Sequence, residues 1–176
     1  MTNESAEARF RVVFSHLGAV TAYARRRGSR DADAVAAETM AIAWRRLADV
    51  PRDDPLPWLY GTARNLVRAD ARRAVDPVSG LEHLAEASPG PEVAELEPEL
   101  ARALRSVSAL DREALLLVAW EDLTPKQAAA ALGINAVAFR VRLLRARRRL
   151  RELLEEPQSD ERSPLPLPQL DVEGTS

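Results

Sequence analysis

The sequence has 176 residues, of which 46% are hydrophobic and 30% charged, and this composition argues against a membrane protein and against a wholly disordered chain. It contains no cysteine and only two histidines, far apart, which excludes a disulfide framework, a thiolate zinc site and a cysteine nucleophile. The net charge of −2 conceals a strong segregation: residues 9–75 carry 13 Arg against 7 acids, residues 76–99 carry 7 acids and no base, and residues 100–156 carry 11 bases against 7 acids. Two basic segments on either side of an acidic one indicate contacts with a polyanion.

The N-terminal residues carry acidic rather than basic side chains and no apolar segment follows them, which argues against a signal peptide. No apolar run approaches the roughly 20 residues of a membrane span. We therefore expect a cytoplasmic protein without membrane insertion. No nucleophile, base and orienting group can be assembled from the residues present, so no catalytic residue, metal ion or cofactor is predicted.

The first basic segment begins with two predicted helices. Apolar residues at helical spacing predict one long amphipathic helix over residues 6–27, which Gly28 terminates. Asp31 and Asp33 follow, and carboxylates suit the free amides and the positive dipole of a helix N-terminus. A second helix is therefore predicted over residues 31–47.

A loop with three prolines, residues 50–57, separates this helix from a third one that begins at Trp58. The aromatic rings of Trp58 and Tyr60 fit either a bound base or the core, and burial is the better prediction for Trp58. Asn65 lies beside a row of arginines that four-residue spacing places on one face of the third helix: Arg64, Arg68 and Arg72.

Two segments have the composition of loose chain. Residues 76–99 contain four prolines, two glycines and the excess of acids, which predicts a flexible linker with a short helical patch at residues 81–87. The proline-rich tail, residues 157–176, is predicted to be disordered. The domains expected from these boundaries are residues 6–75 and residues 100–156.

The second domain has the pattern of a helix-turn-helix motif. Asp111 is predicted to cap an apolar helix, and Thr124 and Gln127 form a capping-box pattern at the start of the next one. Gly133 ends that helix, and Asn135 caps a long arginine-rich helix that runs to about residue 155. Such a pattern is typical of DNA-binding domains, although ordinary helical hairpins share it. The predicted fold class is all-α: two small helical domains joined by a flexible acidic linker, the second of them a helix-turn-helix domain.

The long helix has one apolar sector, predicted to pack on the preceding helices, which consists of Phe139, Leu143, Ala146, Leu150 and Leu154. Its other faces carry seven arginines, which repel one another unless anions neutralise them. An α-helix of this kind fits the major groove of DNA. The alternative is a solvated basic face, or one that pairs with the acidic linker.

Four segments resemble the extracytoplasmic-function class of bacterial RNA polymerase sigma factors, in the sigma-70 family. Residues 31–47 resemble the polymerase-binding helix of these proteins, and residues 57–66 resemble the helix that follows it. Residues 123–134 and 142–150 resemble the helix-turn-helix domain. The resemblance implies a non-enzymatic initiation subunit that binds core RNA polymerase and directs it to promoter DNA, with an anti-sigma factor as a further candidate partner.

The resemblance also implies a role for individual residues. The positions that engage core polymerase are matched by Asp31, Asp33, Glu38, Trp44, Arg45 and Arg46. The region that captures the unwound minus-ten strand is matched by the loop of residues 49–56 and by Arg64, Asn65, Arg68 and Arg72. The helix that reads the minus-thirty-five element is matched by Asn135, Val137, Arg140, Val141, Arg142 and Arg145. For Trp44 the alternative is a core position, and for Asp31 and Asp33 it is helix capping alone.

Two features depart from the family pattern. Val137, Val141 and Leu144 give the long helix an apolar outward face where small polar residues are usual, so this face is also suited to a protein helix. Ala128 and Ala131 stand where larger apolar residues are common, which predicts a less tightly packed domain.

Two other functions stay open at this point. One is an interaction protein that binds polymerase or a regulator but has weakened recognition of minus-thirty-five DNA. The other is a stand-alone helix-turn-helix regulator, which would need a dimer and a palindromic site. The sequence shows no separate dimerisation element.

Overall fold

The computed structural model describes residues 3–74, 93 and 96–155. Within these residues the chain forms eight helices and no strand, which confirms the predicted all-α fold class. We refer to the first four helices as the first half and to the last four as the second half. In chain order the helices are α1 (Asn3–Phe14), α2 (Leu17–Arg26), α3 (Ala32–Arg45), α4 (Leu56–Ala74), α5 (Pro98–Ser106), α6 (Ala109–Ala119), α7 (Pro125–Leu132) and α8 (Ala136–Glu155).

The prediction of a single helix over residues 6–27 is wrong, because the structure divides this segment into α1 and α2. At the junction the Ser15 hydroxyl donates to the carbonyl of Val12 at 2.7 Å, and the His16 amide donates to the carbonyl of Val13, three residues back instead of four. Serine competes in this way with regular helical hydrogen bonds. Apolar spacing continues across the junction, so periodicity could not reveal the break.

The next two helices begin near their predicted starts. Gly28 adopts a φ of 72° after α2, and the Asp31 carboxylate accepts a hydrogen bond from the Ala34 amide at 2.8 Å at the start of α3. The start of α4 is Leu56, two residues before the predicted Trp58, because proline is tolerated in the first turn of a helix. The core of the first half includes Val13, Val20, Tyr23, Ala36, Met40, Leu59 and Ala63.

The second half begins with a helix that the sequence analysis missed. Helix α5 starts at Pro98, in residues that were assigned to the linker. The predicted cap of α6 is also wrong: Ser108 is the cap, and its hydroxyl accepts a hydrogen bond from the Asp111 amide at 3.2 Å. Asp111 therefore lies inside the first turn of α6, where its carboxylate is free to pair with another helix.

The turn that connects α7 to α8 has the predicted chemistry. Thr124 and Gln127 form a capping box at the start of α7. Gly133 adopts a left-handed conformation with a φ of 67°, and the Asn135 side chain accepts a hydrogen bond from the Ala138 amide at 2.8 Å. The predicted signals at Thr124, Gln127, Gly133 and Asn135 are thus all present.

The packed sector of α8 is shorter than predicted. Phe139, Leu143 and Ala146 are buried, but Leu150 is only partly buried and Leu154 is exposed. A repeat of 3.6 residues per turn returns to the core side at position 153 rather than 154. The leucine at position 153 accordingly packs on the core.

The two halves pack against each other, with α4 lying on α7. At their closest approach a Cβ atom on Gly61 would lie 2.9 Å from the carbonyl oxygen of Ala131, so no larger residue fits there without a shift of backbone. Ala128 and Ala131 are both buried, and their small size suits this close contact. One hydrophobic core therefore extends through both halves.

Several predictions of the sequence analysis lie outside the described residues. These are most of the acidic linker, the helical patch at residues 81–87 and the tail from residue 157, and the domain boundaries stay predictions. Val93, a described residue within the predicted linker, is buried in the core. In the part of the chain that the structure describes, no helix combines the length and apolarity that a bilayer crossing requires.

Candidate nucleic-acid interface

One face of α3 presents charged side chains to solvent. Glu38 and Arg45 lie two turns apart and form an ion pair of 2.9 Å, and at least half of each side chain is exposed. Asp33 is exposed in the first turn, and Asp31 serves as the cap of the helix. Exposed pairs of this kind contribute little to stability, so the charges are available to a partner.

Trp44 adds an exposed aromatic ring near the C-terminal end of α3. Its side chain is 43% exposed, and its ring meets that of Phe10 edge-on at a centroid distance of 5.0 Å. Arg46 is exposed just after α3; its guanidinium pairs with Asp49 at 2.9 Å and lies 5.9 Å from the centroid of Trp58. The surface at the end of α3 therefore combines one exposed aromatic ring with charged side chains.

The arginine row on α4 is not uniform. Arg64 is half-buried, whereas Asn65, Arg68 and Arg72 are exposed. Burial lowers the pKa of the Arg64 guanidinium, and the negative charge of Glu113 on α6 opposes that shift. The first member of the row is therefore less accessible to a ligand than the other three residues.

Next to Arg64 lies a group of charged and aromatic side chains that we call the buried ionic cluster: Tyr23, Arg26, Arg27, Glu113 and Glu121. Nε of Arg26 donates to Glu121 at 3.0 Å, and Nε of Arg27 donates to Glu113 at 2.9 Å. The Tyr23 hydroxyl donates to Glu113 at 2.8 Å. The side chains of Arg27 and Glu121 are only 7% and 1% exposed, so the cluster joins α2 to the second half away from solvent.

The buried ionic cluster is not fully satisfied. Among the described residues, Nη2 of Arg27 has no hydrogen-bond acceptor, and the guanidinium instead lies 4.4 Å from the centroid of the Tyr23 ring. A buried N–H group without a partner costs about 1–3 kcal/mol. This cost offsets part of the stabilisation that the ion pairs give to the contact between the halves.

The same environment changes the acidity of both tyrosines. The rings of Tyr23 and Tyr60 stack with a centroid distance of 4.7 Å. Burial, and then the charge of Glu121, raises the pKa of Tyr60 to about 12. Burial and the Glu113 carboxylate raise the pKa of Tyr23 well above its ordinary value. Both phenols thus stay neutral in the folded chain, and the ring of Tyr60 is a core group rather than a platform for a base.

The cationic state of Arg27 is also favoured. Burial by itself would lower the pKa of this guanidinium, but the carboxylate of Glu113 and the neighbouring groups raise it above its ordinary value. The sequence analysis missed the buried ionic cluster because its partners lie 86 to 95 positions apart. The available signal was Glu113, a carboxylate directly before the apolar run of residues 114–119 in α6.

The outward side of α8 carries most of the residues predicted for minus-thirty-five DNA. Arg140 and Arg145 are exposed, and Asn135 sits at the N-terminal end as the cap. Arg142 differs, because its Nη1 atom pairs with Asp111 at 2.9 Å and both side chains are partly buried. Arg142 thus braces α8 against α6 and is less available to a ligand than its neighbours.

An apolar stripe runs along the same side of α8. Val137 is 67% exposed, Val141 is 43% exposed and Leu144 is 71% exposed. The sequence analysis placed these three residues on the outward face, and the structure does the same. Exposed apolar residues among arginines can contact thymine methyl groups or a protein helix.

The charged groups do not assemble into a metal centre. Within residues 3–74, 93 and 96–155, no three histidine, aspartate or glutamate side chains lie close enough together to hold a metal ion.

Residues 98–150, from α5 through most of α8, match the family model described as Sigma-70, region 4. The chain is 32% identical over 141 residues to the RNA polymerase sigma factor NccH of Alcaligenes xylosoxydans, a match that covers 73% of this chain and 75% of NccH. It is 33% identical to the RNA polymerase sigma factor CnrH of Cupriavidus metallidurans, with 71% and 74% covered. It is 39% identical over 134 residues to the probable RNA polymerase sigma factor RfaY of Xanthomonas campestris, a match that covers 69% of this chain and 34% of RfaY.

Solved structures share the fold. CnrH in complex with the cytosolic domain of CnrY matches with a TM-score of 0.57 and 29% identity, over 84% of this chain and 88% of that one. The sigma factor RpoE of Bartonella quintana in complex with the anti-sigma factor NepR matches with a TM-score of 0.56 and 23% identity, over 84% and 97%. The PhyRSL–NepR complex of Sphingomonas sp. Fr1 matches with a TM-score of 0.56 and 23% identity, over 88% and 90%. At 23% identity, the second and third likenesses concern the fold alone.

Proposed function

The chain belongs to the sigma-70 family of RNA polymerase sigma factors, in the extracytoplasmic-function class, and from this premise we propose that it works in the cytoplasm as an initiation subunit. Sigma factors bind core RNA polymerase and promoter DNA, and they act in transcription initiation without enzymatic chemistry. The chain is accordingly not an enzyme. It would use binding energy to select promoters and to stabilise the opened strands.

The observation that carries this proposal is the outward side of α8. A capped short helix, a left-handed glycine and a long helix with exposed arginines make a rigid element of the size and charge that the major groove accepts. The arginine that we propose to read a base is Arg140, with Asn135, Val137, Val141 and Arg145 near the same groove. Arg142 holds α8 in place through its pair with Asp111.

For core polymerase we propose the exposed side of α3. Trp44 supplies an apolar anchor, because an exposed aromatic ring loses unfavourable contact with water when a partner covers it. The charged residues along α3 and at its two ends that would set the orientation of the partner are Asp31, Asp33, Glu38, Arg45 and Arg46.

For the unwound minus-ten strand we propose α4 and the loop that precedes it. Single-stranded DNA binds to a basic groove, where arginines contact phosphates and stack on bases. Arg68 and Arg72 are exposed along α4. Asn65 is also exposed and lies between Arg64 and Arg68 in the sequence. Arg64 belongs to the same row but is half-buried.

The apolar stripe of α8 favours a second candidate function: an interaction protein that binds polymerase or a regulator but has weakened recognition of minus-thirty-five DNA. Val137 and Leu144 are exposed to a degree that suits a protein helix as well as DNA. The solved CnrH and RpoE structures each contain a second protein, the cytosolic domain of CnrY and an anti-sigma factor. We therefore propose an anti-sigma factor as a partner of this chain, with the stripe as its contact surface.

The decisive experiment is run-off transcription with purified core polymerase on a library of promoter fragments. Initiation at a shared motif supports the proposal. Stable binding to polymerase without initiation favours the second candidate, an interaction protein. If the chain neither associates with polymerase nor changes the start sites, both candidate functions are contradicted.

A further inference from the structure

The flank of α8 that faces α6 carries two arginines in unequal surroundings. Arg142 and Arg145 lie three residues apart, so they are neighbours on one side of the helix. Arg145 is exposed, whereas the guanidinium of Arg142 pairs with the Asp111 carboxylate of α6 at 2.9 Å. This pair is only partly buried, because 35% of the Arg142 side chain and 28% of the Asp111 side chain are exposed. Arg142 is thus already neutralised, although solvent reaches it.

The same flank would lie beside a phosphate backbone if α8 bound in the major groove. The groove is about 12 Å wide and a helix with its side chains is about 10–12 Å across, so the helix fills the groove and its two flanks meet the two backbones. The apolar stripe of α8 would then face the bases, with Arg142 and Arg145 to one side of it. A guanidinium binds phosphate and carboxylate with the same planar fork of donors. Asp111 and a phosphate are therefore alternative partners of Arg142.

We propose that Asp111 limits the number of phosphates that α8 binds: its carboxylate occupies Arg142, and the duplex is held by the other arginines of the helix. What this states about DNA rests on the proposed function. Asp111 acts through Arg142 and is a positioning residue rather than a DNA contact. Because phosphate contacts carry no direct sequence information, the pair sets the affinity of α8 for DNA and leaves its base preference unchanged.

The position of α8 does not depend on this pair alone. The helix is also held by three buried side chains, which are Phe139, Leu143 and Ala146. Burial of large apolar side chains stabilises a fold more than a partly exposed ion pair does. The cap of α6 is Ser108, so loss of the Asp111 carboxylate leaves that cap intact. Its removal should therefore release Arg142 and keep both helices in place.

The test measures how salt weakens the binding of DNA to the full chain. The probe is a fluorescein-labelled duplex of alternating adenine and thymine, since contacts with phosphates do not depend on sequence. Asp111→Ala removes the carboxylate, and Asp111→Asn removes its charge but keeps its size. Both variants should bind the duplex more tightly than the parent at low salt. One added phosphate contact steepens the plot of log affinity against log salt by about 0.9, so about a fourfold rise in salt should shrink their advantage about 3.5-fold.

Two control variants show whether this gain depends on Arg142. In the double variant Asp111→Ala/Arg142→Gln the advantage over the parent should vanish, because the released guanidinium is gone. Glu4→Gln is the control for net charge, since it removes one acid at an exposed position in the first turn of α1 and should bind like the parent. A gain that survives the loss of Arg142, or that appears equally in Glu4→Gln, would overturn the proposal. Weaker binding in the Asp111 variants would also overturn it, because the pair would then serve only to hold α8.

A further variant, Arg145→Gln, separates failure of this proposal from failure of the proposed function. It removes an exposed arginine from the same flank of α8 and should make the salt slope shallower by about 1 if that flank lies on DNA. An unchanged slope would contradict the placement of α8 in the groove and, with it, the role of Asp111. A shallower slope in Arg145→Gln, with no tighter binding in either Asp111 variant, would overturn the role of Asp111 alone.

Discussion

Two sets of arginines in this chain have opposite surroundings. Arg26 and Arg27 pair with carboxylates that lie 86 to 95 positions away in the sequence; Arg27 is buried and Arg26 is mostly buried. On α8, Arg148 and Arg149 pair with Glu152 on their own helix and stay exposed. A count of arginines therefore does not identify a DNA-binding surface. The acids that fold against each guanidinium decide whether it is part of the structure or available to a ligand.

The largest difference between the two sets should appear in stability. Arg27→Ala removes the buried partner of Glu113 and Glu121. Because the loss of one partner of a buried ion pair leaves a charge uncompensated, the free energy of unfolding should fall by about 3–5 kcal/mol. Arg148→Ala, the control from the exposed set, should leave that free energy unchanged within error. Urea denaturation followed by circular dichroism measures both. Equal losses would end the distinction between the sets.

Two other arginines of α8, Arg140 and Arg142, should differ in their response to DNA. Arg140→Ala should weaken binding to a promoter fragment by about 1–3 kcal/mol and relax the preference at one base position, if the guanidinium contacts a base. Arg142→Ala should instead act mainly on thermal stability, since it removes the pair with Asp111. Binding titrations on a panel of single-base variants separate the two. A uniform loss across all sequences with Arg140→Ala would identify a phosphate contact.

The outward arginines also depend on the turn that positions α8. Gly133 has a φ of 67°, and an alanine there would cost about 1–2 kcal/mol because its Cβ atom crowds the backbone. Gly18→Ala is the control, since Gly18 lies inside α2 with open space around it and alanine favours the helix. Thermal denaturation should therefore show a lower midpoint for the first and an equal or higher midpoint for the second. The opposite order would mean that the turn does not need glycine.

The smallest effect is confined to alkaline solution. Both tyrosines of the chain lie at or beside the buried ionic cluster, and the pKa of Tyr60 is raised to about 12. Because folding favours the neutral phenol, this contribution to stability is complete below about pH 10 and is lost as the pH rises through about 12. In an ultraviolet titration, tyrosinate should therefore form at higher pH in the parent chain than in Glu121→Gln. Identical curves would show that Tyr60 does not sense Glu121.

Local signals explain which parts of the fold could be read from the sequence. Asp31, Thr124, Gly133 and Asn135 act on backbone groups within a few residues, so their roles as caps and stops followed from position alone. The break at Ser15 was hidden because apolar spacing continues across it. For α6, both Ser108 and Asp111 can cap a helix, and only the backbone geometry chooses between them.

The candidate site was predictable to a different extent. The outward face of α8 followed from helical periodicity, and Val137 and Leu144 are exposed as expected. The burial of Arg64 and the pairing of Arg26 with Glu121 depend on contacts between halves, which no periodicity in a single chain encodes. The structure also explains why α7 carries small residues: Ala131 packs closely against Gly61 of α4.

The side chain of Gln127 serves two structures at once. Its oxygen accepts a hydrogen bond from the Thr124 amide at 2.8 Å, which completes the first turn of α7, while its nitrogen donates to Asp54 of the first half. Separation of the halves removes one of the two anchors that fix this amide. The first turn of α7 should then exchange its amide protons with solvent faster, so the stability of this turn is coupled to the contact between the halves.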